Sequence, residues 1–105
     1  MLKKTKSGMK REDKGGKLNY LDYVSVGAMK RYAIHMKKGE LVHGRGNWKK
    51  GGYPKHEYLE SLMRHLMLLV ENNEKGQKRR PQDEDHAAAI MFNIIGYLTE
   101  EERNK

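Results

Sequence analysis

Asp83-Glu84-Asp85-His86-Ala87-Ala88-Ala89-Ile90-Met91-Phe92-Asn93-Ile94-Ile95-Gly96-Tyr97-Leu98 decides the fold. Three acids lead into a nearly unbroken apolar run. A helix advances about 100° per residue, so positions seven apart nearly eclipse. His86 and Asn93 therefore share one stripe, with the small residues Ala89 and Gly96 on it. The other sides are apolar, which predicts a helix buried most of the way round. A buried imidazole and a buried amide need hydrogen-bond partners. An internal polar pocket would supply them, and function is expected there.

Two further helices complete the reading. Leu59, Leu62, Met63, Leu66, Leu69 and Val70 form one broad apolar face, predicting a helix from Pro54 or Lys55 to Asn72. Val26, Met29, Ala33 and Met36, with Tyr32, recur at spacings of three and four, predicting a helix from about Asp22 to Lys38. Asp22 or Ser25 can cap its start. Lys37-Lys38-Gly39 supplies dipole charge and a left-handed cap at its end. A long glycine-rich connection follows, from Gly39 to Pro54, and a polar loop spans 75–84. The last helix is expected to stop near Leu98, leaving 99–105 as a charged end. There is no internal repeat and no strong strand alternation. The fold class is all-α: a small three-to-four-helix bundle with a long glycine-rich loop after the first helix. Three short helices enclose little, so dimerisation is the expected completion.

The chain's 105 residues suffice for one domain. There is no cysteine, hence no disulfide and no thiolate metal site. No secretory signal and no bilayer-length apolar run is present, so a cytoplasmic protein without a membrane partner is expected. Residues 1–17 carry net +5 of the total +8. They are read as a basic disordered tail ahead of a helical domain, 18–98, with attraction to nucleic acid as the alternative use of that charge.

Candidate chemistry lies in the acids, the histidines and the glycine-rich loop. Glu57 and Glu60 fall opposite the leucine stripe, so they form either an exposed face, with Glu60–Arg64 as a helical ion pair, or a covered cation site. Glu71 and Glu74 sit at a helix C-terminus, where carboxylates oppose the macrodipole. Asp83, Glu84 and Asp85 can cap the next helix, but three acids followed by His86 exceed what a cap requires. A carboxylate beside an imidazole is either a metal-ligand pair or an acid–base pair. Arg64 and His65 either pack at the rim or meet a phosphate. Trp48 plugs the core or stacks on a base. Gly44-Arg45-Gly46-Asn47-Trp48-Lys49-Lys50-Gly51 resembles a phosphate-cradling loop only in composition.

In order, Asn47-Trp48-x-Lys50-Gly51, Arg64-His65-Leu66, Glu74, and Asp85-His86-Ala87-Ala88-Ala89 with Asn93 resemble a family of small, largely phage-borne proteins, the dATP/dGTP diphosphohydrolase N-terminal domain. The resemblance covers roughly residues 23 to 98. That family is in turn similar to MazG-like all-α nucleotide pyrophosphohydrolases. The resemblance implies Mg²⁺-dependent hydrolysis of dGTP and dATP to monophosphate and pyrophosphate, with Mn²⁺ able to substitute. It implies Glu71, Glu74, Asp85 and His86 as metal ligands, with Glu74, Asp85 and His86 catalytic. Arg45, Lys50, Arg64 and His65 would meet phosphates, and Asn47, Trp48 and Asn93 the rest of a purine deoxynucleotide. Two positions depart from the family pattern: Asn73 where a glycine is expected, and Ala89 where many members place a second histidine. The alternative function is a small phage-type accessory protein that binds nucleic acid or a host protein through its basic tail and loop.

Overall fold

The computed structural model describes residues 16–105 and the backbone of 2–4 and 10–12. Its elements are strands β1 (Leu2–Lys4) and β2 (Lys10–Glu12) and helices α1 (Val26–His43), α2 (Lys55–Glu74) and α3 (His86–Arg103). The architecture of residues 16–105 is the expected all-α one. The two strands pair antiparallel, Leu2 opposite Glu12. This pairing was not expected from the sequence; the rest of the expected tail up to residue 15 lies outside the described residues.

Local chemistry sets each helix end. Ser25 caps α1, its Oγ accepting from the Ala28 N–H at 3.3 Å. The helix does not stop at Gly39, as the sequence reading held. It continues to His43 and closes at Gly44, whose φ of +91° only glycine adopts without strain. Gly39 inside a helix costs about 1 kcal/mol relative to Ala. Glu40, Leu41, Val42 and His43 nevertheless extend the hydrogen-bonded ladder through it, and the glycine-rich connection shortens accordingly. Within that connection Asn47–Lys50 makes one 3-10 turn.

Helix α2 ends in a Schellman motif. Gly76, at φ +67°, donates to the Asn73 carbonyl at 3.1 Å, and Gln77 donates to Asn72 at 2.9 Å. Asp85 caps α3, accepting from the Ala88 N–H at 3.1 Å. This helix also outruns its expected end near Leu98, because Thr99 to Arg103 remain helical. Arg103 Nη2 donates to the Lys49 carbonyl at 2.6 Å, and Glu100 also ties this charged end to the glycine-rich connection. Glu100 is buried, faces the loop, and accepts from the Gly52 N–H at 3.4 Å.

Helices α2 and α3 form the main packing pair; α1 lies against α3. Tyr58 meets Gly96, Ser61 meets Asn93 and His65 meets His86, so α2 and α3 run antiparallel. The Tyr58 ring occupies the space a Cβ at Gly96 would fill, which explains the small residue in the apolar run. Phe92 is the hub of the aromatic packing: Tyr58, Trp48 and His35 surround it with ring centroids 6.0, 6.2 and 6.3 Å away.

The core is thin. Among the described residues the buried apolar side chains are Tyr58, Ala88 and Ala89. Leu59, Met63, Met67 and Val70 leave one stripe of α2 exposed, and Ile94 and Leu98 do the same on α3. The apolar face expected of α2 is therefore only half used within one chain: Leu62, Leu66 and Leu69 are partly covered, the others open.

Candidate functional site

At one end of the α2–α3 pair, the polar loop Lys75–Asp85 folds over the helices. There His65 from α2 and His86 at the start of α3 face each other, their Nδ1 atoms 2.9 Å apart. Glu84 joins them, its Oε1 3.9 Å from His65 Nδ1. Donor atoms of these three side chains all lie within 4.8 Å of one another. His35 on α1 is near enough to feel the charge of His65, so each helix contributes one imidazole to this end of the bundle.

Burial lowers the pKa of His65; Glu84 opposes that shift, and His86 and Arg64 reinforce it. His35 is lowered too, by burial first and His65 second. Both rings are therefore held towards the neutral form, with a lone pair available.

Asp85 has a different role. Its carboxylate receives a fork from Arg31 of α1, with Nη2 2.7 Å from Oδ1 and Nε 2.8 Å from Oδ2. Arg79 stands 3.7 Å from the same group. The Arg31 hydrogen bonds and the Ala88 N–H hold its pKa down at about 2 against the penalty of burial. Both oxygens are engaged in tying α1 and the loop to α3. Of the residues expected to hold a cation, Glu71, Glu74, Asp85 and His86, only His86 belongs to a group of three close donors among the described residues. Asp85 is taken by arginine, and Glu71 is exposed and bound to Lys75 at 2.8 Å. Glu74, also exposed, belongs to no such donor group among the described residues.

Other expected site residues are dispersed. Asn93 is buried, its Nδ2 donating to Ser61 Oγ at 3.2 Å and to the Ala89 carbonyl at 2.9 Å. Its amide is thus spent on α2–α3 packing. Arg64 is exposed, 3.9 Å from Glu60, and Glu57 lies 3.2 Å from His56, which makes that flank of α2 a solvated face. Trp48 packs edge-on against Phe92. Lys50 is exposed in the 3-10 turn.

Two adjoining cavities open at this end. One, about 580 Å³, is walled by Arg31, Lys78, Arg79 and Arg80 together with Asp83, Glu84, Asp85 and His86. The other, about 850 Å³, runs along α1 and is lined by Tyr32, His35, Arg45, Asn47, Trp48 and Phe92, among others. They share Arg31, Arg79, Glu84 and Asp85 as a common wall. Arg45, Asn47 and Trp48 thus reach a cavity, whereas Lys50 and Arg64 line neither.

The sequence reading missed Arg31, His35 and Arg79. A signal existed for the first two: they lie one helical turn apart on α1, a spacing that places them on one face.

No curated protein and no solved structure matches this chain. A family model does, over residues 6–105, described as dATP/dGTP diphosphohydrolase, N-terminal. With the histidines, the capping aspartate and the tryptophan loop now placed in one structure, the match fixes the assignment: the chain belongs to the dATP/dGTP diphosphohydrolase N-terminal family.

Proposed function

We propose that the chain hydrolyses purine deoxynucleoside triphosphates, dATP and dGTP, to the monophosphate and pyrophosphate. The observation that carries the reading is the pairing of two unlike cavities across a shared wall. Both volumes fall in the range of small-molecule sites. The one lined by Lys78 and Arg79, beside the Arg31–Asp85 and Arg80–Asp83 pairs, would take the triphosphate, its phosphate oxygens competing with the carboxylates for the guanidinium groups. The one lined by Tyr32, His35, Trp48 and Phe92 suits a purine, which stacks on aromatic faces. A nucleotide lying across Arg31 and Arg79 would bring its α-phosphorus beside His86 and Glu84. Water attacks that phosphorus, the bond to the bridging oxygen breaks, and pyrophosphate leaves. Arg79 and Arg80 would meet the charge that accumulates on the departing group. Mg²⁺ enters this reading as the counterion of the triphosphate, not as an ion held by Glu71, Glu74 and Asp85.

A homodimer accompanies the proposal. The exposed stripe Leu59–Met63–Met67–Val70 is continuous apolar surface at helical spacing, and a second copy would cover it. The reaction belongs in the cytoplasm, where nucleotide pools are. Among the described residues no helix is long and apolar enough to cross a membrane.

Product analysis tests the function. Purified protein is incubated with dATP or dGTP and Mg²⁺, and again after removal of residues 1–17. Monophosphate and pyrophosphate in equal amounts, with and without the tail, are expected. No turnover, together with salt-sensitive DNA binding that vanishes with the tail, would replace the enzyme by a nucleic-acid-binding accessory protein.

A further inference from the structure

We infer that His65, Glu84 and His86 form a binding site for a divalent transition-metal ion of the Mn²⁺–Zn²⁺ series. The argument is geometric first. Two nitrogens bound to one ion at about 2.0–2.1 Å stand roughly 2.9–3.4 Å apart for bond angles between right and tetrahedral. The two Nδ1 atoms are 2.9 Å apart, already within that span. Glu84 Oε1, at 3.9 Å from His65 Nδ1 on an exposed side chain, is the third donor, all three lying within 4.8 Å of one another.

The donor chemistry selects the ion. Two imidazoles and one carboxylate suit Mn²⁺, Fe²⁺, Co²⁺, Ni²⁺ or Zn²⁺. Mg²⁺ prefers an all-oxygen shell and retains its waters. Asp85 adds no competing ligand, because Arg31 holds it. His65 is also kept neutral by its surroundings, as ligation requires. The three donors come from the middle of α2 and from the two residues at the α3 entrance. Binding would therefore pin the Lys75–Asp85 loop to the bundle. The rim facing the cavities stays open, which leaves coordination positions for water or a phosphate oxygen.

Metal binding is tested with Co²⁺ alone, on chelator-treated full-length protein without nucleotide. One Co²⁺ per chain with visible ligand-field bands is expected, and a large excess of Mg²⁺ should not displace it. His65→Gln should abolish the bands, and Glu84→Gln should weaken binding on the order of 10-fold or more. Circular dichroism reports whether each variant retains its helices. If His65→Gln unfolds, Glu84→Gln on its exposed position carries the test by itself. Absence of Co²⁺ binding, displacement by Mg²⁺, or unchanged affinity in Glu84→Gln overturns the site and leaves the two imidazoles as a simple hydrogen-bonded pair. The hydrolase reading is separable: Co²⁺ binding without dATP turnover keeps this site and removes that function. Turnover of dATP with Mg²⁺ by a protein that binds no Co²⁺ does the reverse.

Discussion

Arg31 and Asp85, 54 residues apart in sequence, close a two-pronged ion pair of 2.7 and 2.8 Å that joins α1 to the entrance of α3. Asp85 is nearly buried while Arg31 is about half exposed. The pair matters more to the aspartate, which would otherwise be a lightly solvated charge. Arg31→Ala is expected to lower stability by roughly 1–3 kcal/mol, measured by urea unfolding. A change below a few tenths would show that the fork contributes nothing.

The same carboxylate gives the fold a pH dependence. Its pKa is lowered to about 2, so its contribution is complete above the unfolded value near 3.8 and is lost as pH falls through about 2. The expected loss between those limits is about 2 kcal/mol. Unfolding free energy measured from pH 5 to pH 2 should fall more steeply for the natural chain than for Asp85→Asn. Parallel curves would refute the linkage.

Gly96 packs directly under Tyr58, whose ring occupies the position of a Cβ there. Gly96→Ala should cost about 1–3 kcal/mol through overpacking, despite the better helix propensity of alanine. A melting temperature that rises on this substitution would mean that the Tyr58 ring moves freely.

Asn93 separates a packing role from a substrate role. Its bonds to Ser61 and Ala89 predict that Asn93→Ala loses about 1–3 kcal/mol of stability. The folded variant should keep its KM for dATP. A raised KM with unchanged stability would return Asn93 to the substrate.

The exposed α2 stripe predicts self-association. Natural protein should elute as a dimer by light scattering, and Met63→Glu with Met67→Glu should convert it to monomer with its helices intact. A monomer at every concentration would contradict the dimer.

Helix periodicity made α2 and the start of α3 legible, since Leu62, Leu66 and Leu69 repeat on one face and Asp85 precedes a strong apolar run. It could not stop α1 correctly. Gly39 reads as a cap, yet the ladder passes through it to Gly44 although Leu41 and Val42 are exposed. Nor could it extend α3 through Glu100, whose partner Gly52 lies 48 residues away. The site was half legible. His65 and His86 stood out as imidazoles near apolar faces, and they do meet. Asp83, Glu84 and Asp85 are consecutive, and local sequence does not tell which of them caps, which pairs with arginine and which faces the histidines. Arg31 on a distant helix decides that by claiming Asp85, which leaves Glu84 beside the imidazoles.

Phosphorus NMR of dATP turnover, comparing the natural chain with His86→Gln and with Glu74→Ala, tests the account most directly. His86 lies at the convergence of donors, and Glu74 lies outside it. Stoichiometric pyrophosphate from the natural chain is predicted, with a loss on the order of 100-fold or more in His86→Gln and a change within about twofold in Glu74→Ala. Pyrophosphate release that survives in His86→Gln but disappears in Glu74→Ala would contradict the account and move the chemistry to the C-terminal turn of α2.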